Sequence, residues 1–236
     1  MRVAYQAIGR LLAAYLFERF YAVAIGTGNI PAFGPTILAG NHQEAYDGIL
    51  VLRGARLRRV IMMVKTDGEK PVTLYLLNLL GDTLSIHRST GDLEAMRLAI
   101  GVLERGDVLC MFPEGHRSES GKVKGFHPGI ATIARHIPSA KIVPFGITNA
   151  SHLGVGKVVT NLDRGVRREK NPTIRFGPAF RLPPAHLPIK QQREEDIANI
   201  RRRVLALLPE DMEGKDILHV VEQSPTRKER RNQMPF

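Results

Sequence analysis

Apolar residues along this 236-residue chain follow two alternating rhythms. Short segments rich in apolar residues at 35–40, 59–65, 83–87, 107–112, 141–148 and 173–180 predict strands, the run at 107–112 a central buried one. Between them, apolar positions recur every three or four residues and predict helices over 45–52, 69–80, 92–105, 129–136 and 189–208. Leu93, Met96, Ile100 and Leu103 share one helical face, and Ile197, Ile200, Val204 and Leu207 share another. Pro71 suits a first helical turn, while Gly54 and Gly81 suit helix stops. Strands alternating with helices predict an α/β fold: a single domain with a largely parallel central sheet flanked by helices.

Ahead of this domain, residues 3–25 have the spacing of an amphipathic helix, with Tyr5, Ile8, Leu12, Leu16, Phe20 and Val23 on a broad apolar face. Arg10, Glu18 and Arg19 interrupt the segment too often for a comfortable membrane span. Such a helix either caps the core or lies in a membrane interface, and the interface is the expectation here. The chain thus divides into residues 1–30, an N-terminal amphipathic helix, residues 31–210, the α/β domain, and residues 211–236, a charged tail expected to be disordered.

Charge adds a partner class. A net charge of +11 and an isoelectric point near 10.1 favour polyanions, either nucleic acid or an anionic membrane surface. There is no Trp, aromatic residues are few, and no nucleic-acid-binding motif is present, so a membrane with anionic lipids is expected and nucleic acid is not. Cys110 is the only cysteine, which excludes an intrachain disulfide, and its place inside an apolar run predicts a buried core thiol. No secretory signal is evident, and the expected location is the cytoplasmic face of a membrane, peripheral or monotopic.

Two short strings carry the chemistry. The first is Asn41-His42-Gln43-Glu44-Ala45-Tyr46-Asp47. Histidine titrates near neutrality and can remove a proton from an alcohol when a partner fixes its tautomer and stabilises the imidazolium. Asp47 is the nearest such partner, but in a continuous helix residues five apart are turned about 140° from each other. His42 must therefore occupy a bend between the strand at 35–40 and the helix that carries Asp47. The second string, Phe112-Pro113-Glu114-Gly115-His116-Arg117-Ser118, follows the apolar run at 107–112. The carboxyl end of a parallel strand faces the crevice where open α/β sheets bind ligands. Gly115 allows close approach to the backbone there, and Arg117 offers a planar fork of donors for a phosphate.

The ordered pair Asn41-His42-x4-Asp47 and Phe112-Pro113-Glu114-Gly115-x-Arg117-Ser118 resembles motifs one and three of the glycerophospholipid acyltransferases, the family of lysophosphatidate acyltransferase. Leu84-Ser85-Ile86-His87-Arg88 is similar to motif two and Ile142-Val143-Pro144 to motif four. Lys65 matches a lysine often found after the strand before motif two, and Phe126-His127-Pro128-Gly129 resembles the turn after motif three. His116 stands where the family usually has threonine and His87 where it often has aspartate, which implies altered head-group contacts. The resemblance covers roughly residues 35 to 180.

What the resemblance implies is transfer of a fatty acyl group from a thioester donor, acyl-CoA or acyl-carrier-protein, to the free hydroxyl of lysophosphatidate, giving phosphatidate. His42 is then the general base and Asp47 its orienting partner. Arg88 and Arg117 hold the acceptor phosphate, with Lys65 assisting; Glu114 and Gly115 shape the glycerol site; Val143 and Pro144 line the acyl or glycerol pocket. No metal and no cofactor are implied. The chain has no Gly-x-Ser-x-Gly elbow, which favours direct transfer over an acyl-enzyme. Glycerol-3-phosphate, another lysophospholipid or a glycolipid are alternative acceptors, and a lipid-binding module without catalysis is the alternative outside enzymes.

Overall fold

The computed structural model describes residues 11, 15, 22–44, 47–55, 58–65, 82–86, 92–118, 121–150 and 171–213. These build one seven-stranded sheet: β1 (Val23–Ile25), β2 (Thr36–Gly40), β3 (Val60–Lys65), β4 (Asp82–Ile86), β5 (Val108–Met111), β6 (Lys141–Thr148) and β7 (Thr173–Phe176). The spatial order is β1-β7-β6-β2-β5-β3-β4. Strands β2 to β6 run parallel; β7 is antiparallel to β6, and β1 is parallel to β7.

Side chains alternate between the faces of a strand, so each central strand feeds two cores. On one face Ile37, Ala39, Leu109 and Ile142 pack beneath α2 (Asp92–Glu104), α3 (Gly129–His136) and α4 (Ile189–Leu205). On the other, Leu38, Val108, Cys110, Val143 and Phe145 pack with Leu50 and Val51 of α1 (Asp47–Gly54). Coverage on both faces explains why these strands are almost wholly apolar, without polar alternation. Asp196 of α4, buried, accepts two hydrogen bonds of 2.6 and 2.7 Å from Arg135 of α3, which fastens these helices to each other.

Several expected elements shift. Residues 23–25, placed in the opening helix by apolar spacing, form β1 and cover the edge of β7, where Ala24 pairs with Ile174. An uncovered edge would leave the outward amides of β7 without partners. Of the expected helix ahead of Ala22, only Leu11 and Tyr15 belong to the described residues; both are helical and exposed, at 72% and 63%. The remainder of that helix, the expected helix over 69–80, residues 151–170 and the tail beyond residue 213 lie outside the described residues. The helix ends at Gly54, as expected, and packing also requires glycine there, because the Phe176 ring occupies the space that a Cβ would need, 2.2 Å away. β7 ends at Phe176 instead of residue 180; Phe180 makes an isolated bridge to Ile142. The fold also runs past residue 210, since Glu213 bridges to Val123. Among the described residues no helix is long and apolar enough to cross a membrane.

The strand order locates a crevice. From β2 the chain passes through α1 on one face and continues to β3; from β5 it passes through α3 on the opposite face and returns to β6, on the other side of β2. The connections leaving β2 and β5 therefore diverge, and a crevice opens at the carboxyl ends of these two neighbours, the point at which open α/β sheets bind ligands. His42 follows β2. Glu114, Gly115 and Arg117 follow β5.

Candidate active site

The end of β2 meets β6 at an unusually close approach. A Cβ on Gly40 would lie 2.2 Å from the Phe145 ring and 2.5 Å from the Phe145 carbonyl oxygen, so glycine is required by packing. Gly40→Ala should push β2 off β6 and lower stability by about 1–3 kcal/mol, the usual cost of overpacking, with reduced turnover because His42 is two residues on. Thermal denaturation and a turnover assay on the same sample check this.

Next in sequence, Asn41 is buried and acts as an extra rung of the sheet. Its Nδ2 donates to the Ile147 carbonyl at 2.9 Å, and its Oδ1 accepts from the Ile147 amide at 2.7 Å. Gln43 Oε1 accepts from the Ala150 amide at 3.2 Å. The bend that carries His42 is thus sewn, on either side of the histidine, to β6 and to the residues just after it.

Asp47 opens α1 and aims its carboxylate back over the bend. Its Oδ2 accepts from the Gln43 amide at 2.7 Å and the Glu44 amide at 2.9 Å, and stands 2.8 Å from His42 Nδ1. A carboxylate acceptor there requires the proton on Nδ1, which leaves the Nε2 lone pair to take a proton. The Asp47 side chain is fully buried and that of His42 is 20% exposed. Below the imidazole lies Phe112, stacked at 4.1 Å between centroids and 20° between planes, and Phe112 in turn rests edge-on against Phe145. The bend inferred from helical geometry is therefore present, and it brings His42 and Asp47 together.

The loop after β5 grips the same bend. The Ser118 amide donates to the His42 carbonyl at 2.8 Å, and Glu114 Oε1 accepts from the His42 amide at 3.0 Å. Glu114 Oε2 accepts from the Lys124 amide, also at 3.0 Å. Burial pushes the Glu114 carboxyl above its ordinary range, against the opposing pull of the Lys124 and His42 amides and of charge on His116 and His42. The sign for stability follows. Below the ordinary glutamate value the carboxyl is neutral in both states; as pH rises through the raised folded value, the buried charge is a growing burden.

Gly115 adopts φ +72°, left-handed backbone that favours glycine, and a Cβ there would come within 3.1 Å of the His127 ring. Its amide is already engaged with the Phe112 carbonyl at 3.0 Å. Arg117 is exposed at the mouth of the crevice. Lys65 ends β3, paired with Ile86 of β4, so its backbone reaches the same edge. Arg88 lies outside the described residues.

Two expected pocket residues are placed elsewhere. Val143 and Pro144 lie within β6, paired with Leu38 and Ala39 and buried. Val143 is wholly enclosed in the core beneath the site, so it supports the crevice instead of lining it. The residues that hold the bend, Asn41, Gln43, Phe112 and Ser118, carried no assigned role in the sequence; the one legible signal was Asn41, a polar residue at the end of an apolar strand. Cys110 is buried, and burial together with the Asp47 charge pushes its thiol far up, so it supplies no thiolate at neutral pH. Among the described residues no group of three or more His, Cys, Asp or Glu side chains is arranged to hold a metal ion.

Beside the bend opens a cleft of about 1090 Å³, bordered by Gln43, Glu44, Ser118, Lys122, Thr148 and Arg175, among others.

The site thus combines an imidazole held by a buried carboxylate, the switch point of a mostly parallel α/β sheet and a Pro-Glu-Gly turn, an arrangement able to accept a proton. The Acyltransferase family model matches residues 23–148, more than half of the chain, and the chain belongs to that family. The chloroplastic 1-acyl-sn-glycerol-3-phosphate acyltransferase of Arabidopsis thaliana is 23% identical over 204 residues, covering 84% of this chain and 52% of the relative. The 1-acyl-sn-glycerol-3-phosphate acyltransferase of Borreliella burgdorferi is 25% identical over 153 residues, covering 64% and 61%. The chain thus spans between half and two thirds of the length of these relatives. The crystal structure of the 1-acyl-sn-glycerophosphate acyltransferase from Thermotoga maritima superposes with a TM-score of 0.59 at 21% identity, covering 87% of this chain and 82% of that one, which shows a shared fold.

Proposed function

We propose that this protein transfers a fatty acyl group from a thioester, acyl-CoA or acyl-carrier-protein, to the free hydroxyl of lysophosphatidate. The observation that carries this is the 2.8 Å contact between His42 Nδ1 and Asp47 Oδ2, which orients a partly exposed imidazole at the crevice. His42 Nε2 removes the hydroxyl proton as the oxygen attacks the thioester carbonyl carbon. The tetrahedral intermediate then expels the thiolate, which takes the proton from the imidazolium, so the products are phosphatidate and a free thiol. Asp47 stabilises the imidazolium between these steps. Arg117 and Arg88, with Lys65, hold the acceptor phosphate, and Gly115 keeps the turn clear of a side chain. The names of the two curated relatives support the acceptor class.

The same proposal places the protein at a membrane surface. Both acceptor and product partition into bilayers, and the +11 charge favours anionic lipid. Peripheral contact at the cytoplasmic face, through the apolar positions of residues 1–25, is the arrangement proposed.

Substrate identity is tested by crossing lysophosphatidate and glycerol-3-phosphate with acyl-CoA and acyl-carrier-protein, with lipid products read by mass spectrometry. Phosphatidate from lysophosphatidate is expected with at least one donor. Acylation of glycerol-3-phosphate alone would reassign the acceptor, and no lipid product in any arm would refute acyl transfer.

A further inference from the structure

We propose that Glu114 is a positioning residue that holds His42 through its main chain, and that it makes no contact with the acceptor. This rests on the role assigned above to His42. It departs from the part that motif resemblance gives Glu114, in the glycerol site.

The geometry closes around one peptide. His42 donates its amide to Glu114 Oε1 and receives, at its carbonyl, the amide of Ser118. Both main-chain groups of the base are therefore held by a single stretch, residues 114–118. The other oxygen of Glu114 ties the Lys124 amide, and the neighbouring Val123 amide donates to the Met212 carbonyl. One carboxylate thus joins the bend after β2 to the loop after β5, and that loop is anchored in turn to the segment following α4. Asp47 and Phe112 fix the ring; Glu114 and Ser118 fix the backbone from which the ring projects. Together they determine where Nε2 points.

Burial supports the same assignment. Glu114 is 2% exposed, and each of its oxygens already accepts an amide. A side chain so enclosed has little surface for a glycerol hydroxyl. Keeping a carboxylate where burial disfavours its charge has a chemical reason, because two amide donors need two acceptors. Glutamine supplies one acceptor and an NH2 group, so either orientation sets a donor against a donor. An apolar residue would leave both amides unpaired.

Proton transfer depends steeply on placement, and a shift of about 1 Å can cost roughly 100-fold in rate. Glu114→Gln is therefore expected to lower kcat by about 100-fold while the acceptor KM stays within about twofold, since no ground-state contact is lost. Amide hydrogen exchange supplies a readout that needs no substrate. In the intact wild-type chain the amides of His42 and Lys124 should be protected, and in Glu114→Gln at least one should exchange faster while amides of the central strands keep their protection. Unprotected His42 and Lys124 amides in the wild type would overturn the proposal without any variant. So would a Glu114→Gln protein that keeps kcat, or one whose acceptor KM rises with kcat retained, the mark of a substrate contact. A wild-type chain that transferred no acyl group would refute the function alone, and the exchange result would still decide whether Glu114 clamps His42.

Discussion

Replacing His42 with alanine should lower kcat at least about 100-fold, the usual contribution of a general base, with the fold and lipid binding nearly intact. The ring is 20% exposed and, among the described residues, hydrogen-bonds through Nδ1 only to Asp47, so its removal leaves the strands of the sheet undisturbed. Asp47→Asn should also slow turnover. Asparagine can still accept the Gln43 and Glu44 amides that Asp47 now accepts, so the bend survives, but the negative charge that stabilises the imidazolium is lost. Steady-state turnover, with circular dichroism to verify folding, checks both variants; wild-type turnover in folded His42→Ala would remove the histidine from the chemistry.

A second large effect is expected at the phosphate. Arg117→Ala should raise the acceptor KM by about 10- to 100-fold and leave the donor KM nearly unchanged, because a guanidinium that clasps phosphate in both ground and transition states contributes uniform binding. The lower part of that range is appropriate if the side chain, exposed in the unliganded chain, stays partly in water when the phosphate binds. Arg88→Ala should act in the same direction. Initial rates measured with each substrate varied in turn separate the two constants, and a rise confined to the donor KM would reassign Arg117 to the donor.

The parts of the molecule that were legible in sequence are those governed by local periodicity. The strand at 141–148 and the helix at 129–136 appear with the bounds their apolar spacing implies. That His42 and Asp47 could meet only across a bend followed from helical geometry, while their pairing was implied by the motif resemblance. What stayed hidden depends on distant partners. Val23 continues the stripe of an opening helix, and only the free edge of β7, far along the chain, makes it a strand residue. Gly54 reads correctly as the end of its helix, but its packing against Phe176, far along the chain, is not visible in the sequence. Val143 and Pro144 belong to a motif, but the register of β6 against β2 places both inside the sheet and encloses Val143 in the core. The bonds of Glu114 to the His42 and Lys124 amides were not legible, because backbone amides leave no mark in the sequence.

The claim at the centre is that acyl transfer is direct and that His42 drives it. The most direct measurement is a single-turnover reaction of enzyme, acyl thioester and lysophosphatidate, quenched at short times and read by mass spectrometry for both lipid and intact protein. Phosphatidate should appear without any acylated protein, and His42→Ala should slow its appearance at least about 100-fold. An acylated protein that forms and decays as phosphatidate appears, or an undiminished rate in His42→Ala, would contradict the account.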